Sequence, residues 1–145
     1  MFGQRRIRLT GSPWVWAWVG LVFLAACGGQ PRIAVEVERF DMGDMVNGTV
    51  VTRELEIRNT GTADLVIQQV TTSCSCTTAE VEPTVIPPGG TARLRITFDS
   101  GAHGPSLQGT LIRQVFLSTN DPERPEVVVE FSANVLVPAP AEDSG

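Results

Sequence analysis

The sequence contains no lysine and no tyrosine, and it has one histidine and three cysteines among its 145 residues. The three tryptophans all lie close to the amino terminus, at Trp14, Trp16 and Trp18. The rest of the chain therefore lacks the Trp and Tyr rings on which bound sugars usually stack. This absence excludes a carbohydrate site of the aromatic-platform type.

Positive charge is also scarce beyond the amino-terminal segment. From Cys27 onward, 16 acidic residues face eight arginines, which gives a net charge near −8. A surface that binds nucleic acid needs basic groups to neutralise phosphates. The acidic balance therefore excludes nucleic acid as a partner.

The amino-terminal segment has the pattern of a bacterial lipoprotein signal peptide. Arg5, Arg6 and Arg8 form a basic start, and residues 14–26 then run without a charge, which is too short a run for a transmembrane helix. The run ends in Leu24-Ala25-Ala26-Cys27, which matches the lipobox whose cysteine receives the lipid. We expect a signal-peptide helix within residues 1–26, cleavage before Cys27, and attachment of lipid, palmitate included, to Cys27.

This assignment also predicts the location and the domain boundaries. Residues 27–32 would form a lipid-anchored tether, residues 33–137 one folded domain, and residues 138–145 a disordered tail rich in Pro and acidic residues. The lipid on Cys27 would hold the domain at a membrane of the bacterial cell envelope, facing outside the cytoplasm.

The folded domain has the pattern of an all-β protein. Short β-branched runs alternate with clusters of Gly, Pro, Asn and Asp, and no helical periodicity extends over three turns. The predicted strands cover residues 33–38, 50–58, 65–70, 79–86, 91–98, 110–117 and 126–137. About seven antiparallel strands at this spacing predict an immunoglobulin-like sandwich of two sheets.

Three local features refine this prediction. Residues 59–62 form a predicted turn, in which Gly61 is free to take a positive φ. Pro88-Gly89 suits the central positions of a type II turn. Pro83 interrupts the 79–86 strand, which predicts an edge strand or an extended loop there.

Cys74 and Cys76 lie one residue apart in the sequence Thr-Ser-Cys-Ser-Cys-Thr-Thr of residues 72–78. Residues two apart in a strand face the same side, so the two sulfurs would lie together, with Cα atoms near the upper limit for a disulfide. An oxidising envelope favours the bond, although so small a loop constrains the unfolded chain little and the bond should be easily reduced. Free, partly buried thiols are the alternative.

A metal site is a further possibility at the same two residues. Adjacent thiolates suit Cu(I), whereas a structural zinc ion needs four ligands. His103 follows the 91–98 strand, so it should lie at the same end of the sandwich as Cys74 and Cys76 if the 79–86 segment crosses the domain. A histidine between Gly101 and Gly104 is also typical of a solvated loop, and both interpretations stay open.

No set of residues points to catalysis. Asp41 with Asp44, and Asp121 with Glu123, are carboxylate pairs, but both lie among turn residues, where Asp accepts hydrogen bonds from nearby backbone. Neither a nucleophile–histidine–acid set nor a phosphate-binding Gly loop is present. We therefore expect a non-enzymatic domain with no catalytic residue and no cofactor, copper being the alternative.

A series of short motifs runs in a fixed order through residues 35–137. They are Phe40-Asp41-Met42-Gly43, Asn59 with Gly61, Leu65 with Ile67, Cys74-Ser75-Cys76-Thr77, Pro88-Gly89, Ile96 with Phe98, and Ser118-Thr119-Asn120-Asp121-Pro122. Together they resemble the bacterial family called domain of unknown function 1573, which is related to the major-sperm-protein and ASH-type immunoglobulin-like sandwiches. The resemblance implies a fold and brings no established activity.

Two positions depart from the pattern that this family usually shows. Thr119 is inserted between Ser118 and Asn120, which changes only a loop. Ser75 stands where the family usually has Gly, and the loss of backbone freedom should make a bond between Cys74 and Cys76 harder to close.

Two functions remain in view. The first is a non-enzymatic, lipid-anchored envelope domain that binds an unknown protein partner, since an exposed edge strand can add a partner's strand. The alternative is a thiol redox or Cu(I)-handling protein that uses Cys74 and Cys76, with His103 as a further ligand.

Overall fold

The structure is a computed structural model that describes residues 28–137. The predicted signal peptide (1–26), the lipidation residue Cys27 and the predicted tail (138–145) lie outside the described residues. No helix in the described part of the chain has the length and apolar character that a membrane crossing requires.

The described residues form nine strands. They are β1 (Ile33–Val35), β2 (Arg39–Val46), β3 (Val50–Asn59), β4 (Leu65–Thr72), β5 (Thr77–Glu82), β6 (Val85–Ile86), β7 (Thr91–Asp99), β8 (Gly109–Thr119) and β9 (Glu126–Leu136). One sheet has the order β1-β3-β7-β5 and the other the order β2-β9-β8-β4-β6. This two-sheet arrangement confirms the predicted immunoglobulin-like sandwich.

The core lies between the two sheets, and alternate residues along the strands point into it. In β7, for example, Ala92, Leu94, Ile96 and Phe98 are buried while their neighbours face outward. Phe131 of β9 stacks on Phe40 with ring centroids 5.8 Å apart and meets Phe98 edge-on at 5.7 Å. Aliphatic and Phe side chains thus fill the interior, as the lack of Trp and Tyr required.

The segment 39–46 differs from the prediction, which placed Asp41 and Asp44 among turn residues. It forms β2, which pairs with β9 in parallel, so the sandwich is not wholly antiparallel. The register shifts between Asp41 and Asp44, where Gly43 has φ +82° and donates its N–H to Asp41 Oδ1 at 2.9 Å. This irregularity breaks the period-two alternation that identifies a strand in a sequence.

The predicted strand 79–86 is two edge strands in different sheets. β5 lies at the edge of the first sheet and β6 at the edge of the second, with Pro83 between them. Proline has no N–H to donate to a ladder, so the chain leaves one sheet there and joins the other.

The two predicted turns have different outcomes. The type II turn is confirmed, because Gly89 has φ +75° and Gly90 donates its N–H to Pro87 O at 2.8 Å. Gly61 does not use the positive φ that it is free to take. A Cβ at Gly61 would lie 2.2 Å from Gln30 O, so this residue is small because the chain before β1 passes directly over it.

Candidate functional site

The Cys-Ser-Cys segment and the loop that carries His103 lie at the same end of the sandwich. Thr77, the first residue of β5, pairs with Phe98 near the end of β7. The β4–β5 turn (73–76) and the β7–β8 loop (100–108) are therefore neighbours. This is the arrangement that follows if the segment after the cysteines crosses the domain.

Backbone hydrogen bonds fix the turn that holds the two cysteines. Thr77 donates its N–H to Cys74 O at 3.1 Å, and Asp99 donates its N–H to Cys76 O at 2.9 Å. The Thr72 hydroxyl lies 3.1 Å from Cys74 O and 3.0 Å from Thr77 O. The Thr72 hydroxyl can thus donate to either of two carbonyl groups of the tight turn.

The sulfurs of Cys74 and Cys76 are at bonding distance. They lie 2.11 Å apart, and the Cα atoms are 5.2 Å apart, inside the range that a disulfide requires. Ser75 accommodates the turn without a left-handed conformation, because every positive φ in residues 28–137 belongs to a glycine. The expected cost of having Ser rather than Gly between the cysteines is therefore absent.

His103 contacts the first of the two sulfurs. Its Nε2 lies 3.1 Å from Cys74 Sγ, and the Cys76 N–H points to the same sulfur at 3.1 Å. A sulfur in a disulfide has no hydrogen to give, so Nε2–H is the donor in this contact. The solvated-loop interpretation describes the exposure of His103 but misses this contact.

Arg113 contacts the second sulfur, and sequence reasoning missed this residue. Its Nε donates to Cys76 Sγ at 3.3 Å, while a terminal nitrogen of the same guanidinium donates to Ile112 O at 2.9 Å. Arg113 lies in β8 and is 37 positions from Cys76, so no local spacing reveals the pair. Only the β4–β8 pairing, which reaches Thr72 opposite Val115, brings the guanidinium to the turn.

Two side chains hold the β7–β8 loop in place. Asn47 donates its amide to Gly104 O at 3.0 Å and to Leu107 O at 2.9 Å. Ser100 is buried, accepts a hydrogen bond from Thr49 N–H at 2.9 Å, and places its hydroxyl 2.9 Å from Thr49 O. These contacts tie the loop to the β2–β3 turn and thereby position His103.

The two sulfurs differ in their exposure. Cys76 is 2% exposed and belongs to the core, whereas Cys74 is half-buried and borders solvent. Each sulfur also has a different basic side chain beside it. A reagent approaching from solvent therefore meets Cys74 first, and a negative charge formed on Cys76 would lie against a guanidinium.

The two sulfurs and the His103 imidazole are also close enough together to serve as ligands of one metal ion. One atom each from Cys74, Cys76 and His103 lie within 4.8 Å of one another. While the sulfurs are bonded to each other they carry no thiolate, so only the reduced pair fits a metal ion.

The other predicted carboxylate pairs are structural. Asp121 is 1% exposed and accepts N–H groups from Ile33 at 2.8 Å, Glu123 at 2.9 Å and Arg124 at 3.3 Å. Burial alone would raise the pKa of Asp121, but these donors and the Arg32 guanidinium 3.8 Å away hold it below its ordinary value.

Arg32, the cation beside Asp121, also forms an ion pair with Glu123. Arg32 contacts Glu123 as well as Asp121, and the hydrogen bond with Glu123 raises the pKa of the Arg32 guanidinium. In β2, Asp41 and Asp44 accept hydrogen bonds from Ser132 and Asn134 of β9. Neither carboxylate pair has the form of an acid–base site.

Several solved structures share this fold. A protein of unknown function from Porphyromonas gingivalis W83 matches with a TM-score of 0.65 and 27% identity, over 78% of this chain and 51% of that one. This chain thus spans about half the length of that relative. PapD-like domain 7 of human CEP192, an ASH domain, matches with a TM-score of 0.56 and 12% identity, over 76% of this chain and 89% of that one.

A third match is the secreted serine protease VesC from Vibrio cholerae, with a TM-score of 0.55 and 15% identity, over 76% of this chain and 24% of that one. The last two similarities are of fold alone. Among curated proteins, none matches the chain. The family model described as protein of unknown function (DUF1573) matches residues 33–135, and the chain belongs to this family.

Proposed function

We propose that this protein is a lipid-anchored domain of the bacterial cell envelope whose Cys74–Cys76 disulfide exchanges with the dithiol of a partner protein. One observation carries the proposal. Each sulfur accepts a hydrogen bond from a basic side chain, His103 at 3.1 Å and Arg113 at 3.3 Å, while one sulfur borders solvent. Such donors favour thiolates, which are both the nucleophiles and the leaving groups of thiol–disulfide exchange.

The difference in exposure gives the exchange a direction. A thiolate of the partner attacks Cys74 Sγ, the sulfur–sulfur bond breaks, and its electron pair leaves on Cys76 Sγ beside Arg113. The second thiol of the partner then attacks the mixed disulfide and releases Cys74 as a thiolate beside His103. The partner loses two electrons and two protons and becomes a disulfide, and this protein becomes a dithiol.

The protein acts in this proposal as a stoichiometric redox partner and has no enzymatic activity of its own. The single histidine of the chain contacts Cys74 Sγ through Nε2, which supports a role at the disulfide. The lipid on Cys27 would keep the exchange close to the membrane, because only a few residues separate Cys27 from β1 at Ile33.

The exchange is tested by intact mass and by redox titration. We expect the full chain to gain the mass of two hydrogen atoms on treatment with a dithiol reductant and to return to its starting mass with a disulfide oxidant. Trapping with a monothiol reagent should modify Cys74 before Cys76. A chain that holds two free thiols under oxidising conditions would contradict the proposal.

The membrane anchor is tested separately. Cys27→Ala should leave the precursor uncleaved and without lipid, which mass spectrometry reads directly. Ser12→Ala, within the same segment, serves as the control. Normal processing and lipid labelling of Cys27→Ala would contradict the anchor and leave the thiol chemistry unaffected.

A second candidate is the binding of a partner's strand along β5. This strand is an edge of the first sheet, and the Asp99 N–H bond to Cys76 O sets which of its residues face β7. By the alternation of an antiparallel ladder, Ala79 and Val81 direct their N–H and C=O groups away from β7. An extended segment can pair with such groups.

Proline substitution separates this candidate from the exchange. Ala79→Pro removes an outward N–H, which an edge strand tolerates, and should abolish crosslinking to a partner while the fold persists. Ala79→Ser, which keeps the outward N–H at the same position, is the matched control. Unchanged crosslinking in Ala79→Pro would contradict strand addition.

A further inference from the structure

The reduced form of the Cys74–Cys76 pair has the composition of a metal site for a soft monovalent cation. Reduction frees the sulfurs from each other and leaves two thiolates and one imidazole at the same end of the sandwich. Thiolate ligands suit Cu(I) and zinc, and imidazole suits both metals as well. Cu(I) accepts three ligands, whereas a structural zinc site needs four.

The geometry requires only small movements. The three ligand atoms already lie within 4.8 Å of one another, and His103 Nε2 is 3.1 Å from Cys74 Sγ. The turn and the loop that carry them are fixed by backbone and side-chain hydrogen bonds from Asp99 and Asn47. Rotation of the two cysteine side chains therefore suffices to open space for an ion between the sulfurs and the ring.

Arg113 balances the charge of this site. Two thiolates and one Cu(I) ion carry a net charge of −1, which the guanidinium at Cys76 Sγ neutralises. A divalent ion in the same place would leave the site with an excess positive charge beside Arg113. Burial of Cys76 makes this balance matter, because charge left uncompensated away from water is costly.

We propose that Cys74, Cys76 and His103 bind one Cu(I) ion when the disulfide is reduced, with Arg113 as a positioning residue that holds the Cys76 thiolate. This inference rests on the proposed function in one respect, since the disulfide must be reducible. Bound copper occupies both sulfurs, so the copper-bound and disulfide forms exclude each other. A disulfide oxidant that takes two electrons from the thiolates would release the ion.

The test uses the full chain with Cys27→Ser in mild detergent, so that Cys74 and Cys76 are its only cysteines. Free thiols are first counted by intact mass after reduction, and copper uptake is then measured by competition with a chromophoric Cu(I) chelator. We expect one copper per reduced chain and none in the disulfide form. X-ray absorption should report two sulfurs and one nitrogen on the ion.

Variants separate ligands from the positioning residue. Cys74→Ser with Cys76→Ser should lose all copper, which also controls for binding by methionines, and His103→Asn should lose the nitrogen signal. Arg113→Gln should weaken Cu(I) binding by about 10- to 100-fold while keeping the ligand set, as expected for a group bonded to a metal ligand. Arg93→Gln, on the outer face of β7, should bind copper like the parent chain.

The outcomes distinguish the two proposals. Two free thiols with no copper retained would overturn the metal site and leave thiol exchange standing. A disulfide that no reductant opens would overturn both. Copper held equally by the Cys74→Ser and Cys76→Ser double variant, or tighter binding of Zn²⁺ than of Cu(I), would overturn the metal site alone.

Discussion

At the scale of single residues, the chemistry of this domain depends on which nitrogen lies beside which sulfur. Cys74 and Cys76 are adjacent in sequence, but one borders solvent beside an imidazole and the other is buried beside a guanidinium. The two cysteines have identical side chains but differ in solvent exposure and in the basic residue beside them. In the proposed exchange, this asymmetry, rather than the cysteine spacing, makes one sulfur the point of attack and the other the leaving group.

The contribution of Arg113 to thiol exchange is open to measurement. Arg113→Gln removes the charge beside Cys76, and hydrogen bonds to charged groups are worth about 1.5–3 kcal/mol, so we expect exchange with a small dithiol to slow by about 10- to 100-fold. Stopped-flow kinetics checks this rate. Arg93→Gln, whose ion pair with Glu54 is exposed, is the control and should not change it.

The charge of buried Asp121 contributes to the stability of the fold. Asp121→Asn leaves one acceptor oxygen but removes the charge that Arg32 and three backbone N–H groups contact. We expect the free energy of unfolding at neutral pH to fall by about 2–3 kcal/mol, measured by urea titration. Asp64→Asn, an exposed acid at the start of β4, should have little effect.

The same carboxylate predicts a pH dependence. The folded-state pKa of Asp121 is lowered from 3.8, so its contribution is complete above that value and is lost as the pH falls through the folded pKa. We expect stability to drop more steeply below about pH 4 in the parent than in Asp121→Asn, since the unfolded state binds the proton first. Parallel pH profiles in the two proteins would contradict this assignment.

At the scale of elements, the segment before β1 is packed into the domain rather than hanging from it. Thr62 donates its N–H to Gln30 O at 2.8 Å, and Thr60 donates its N–H to Arg32 O at 2.9 Å. The predicted tether of 27–32 is therefore docked over residues 29–32 against the β3–β4 turn. An anchor at Cys27, as proposed, would lie two residues before this docked segment and would keep the domain close to the membrane.

Gly61 makes this docking possible. A Cβ there would meet the backbone of residues 30–32 at 2.2 to 2.8 Å, so Gly61→Ala must push that segment away. We expect a loss of about 1–3 kcal/mol, typical of overpacking, and faster hydrogen exchange at the Thr60 and Thr62 amides. Gly28→Ala has open space around it and is the control. Unchanged exchange at both amides would contradict the docking.

At the scale of the whole molecule, the disulfide is too local to hold the fold together. The sandwich is held by its core and by nine paired strands in residues 28–137, and the cysteines are two positions apart. Closing so short a loop stabilises a protein by at most about 2 kcal/mol in the chain-entropy account. A domain that survives reduction can cycle between disulfide, dithiol and metal-bound forms.

This independence predicts the effect of reduction on stability. With a dithiol reductant present, we expect the free energy of unfolding to fall by no more than about 2 kcal/mol. Far-ultraviolet circular dichroism should stay that of a β-sandwich. Urea titrations with and without reductant measure the difference, and unfolding on reduction would contradict both thiol proposals.

The sequence by itself determined the class of fold, the core composition and the type II turn at Pro88-Gly89. These follow from local alternation and from the φ preferences of Pro and Gly, which need no knowledge of distant residues. It did not reveal β2, because the irregularity at Gly43 breaks the alternation, nor the division of 79–86 between two sheets. The packing role of Gly61 was also hidden, since it depends on what crosses above the residue.

In the candidate site, too, the sequence identified some of the residues and the tertiary structure was needed for the others. The sequence identified Cys74 and Cys76 as the place where chemistry is possible, since two thiols one residue apart share a face of the chain. Their relation to His103 depended on where β5 runs. Arg113 could not be foreseen at all, because strand pairing across the second sheet is a long-range event. Only the tertiary structure, by bringing three separate segments to one end of the sandwich, decided which charges surround the sulfurs.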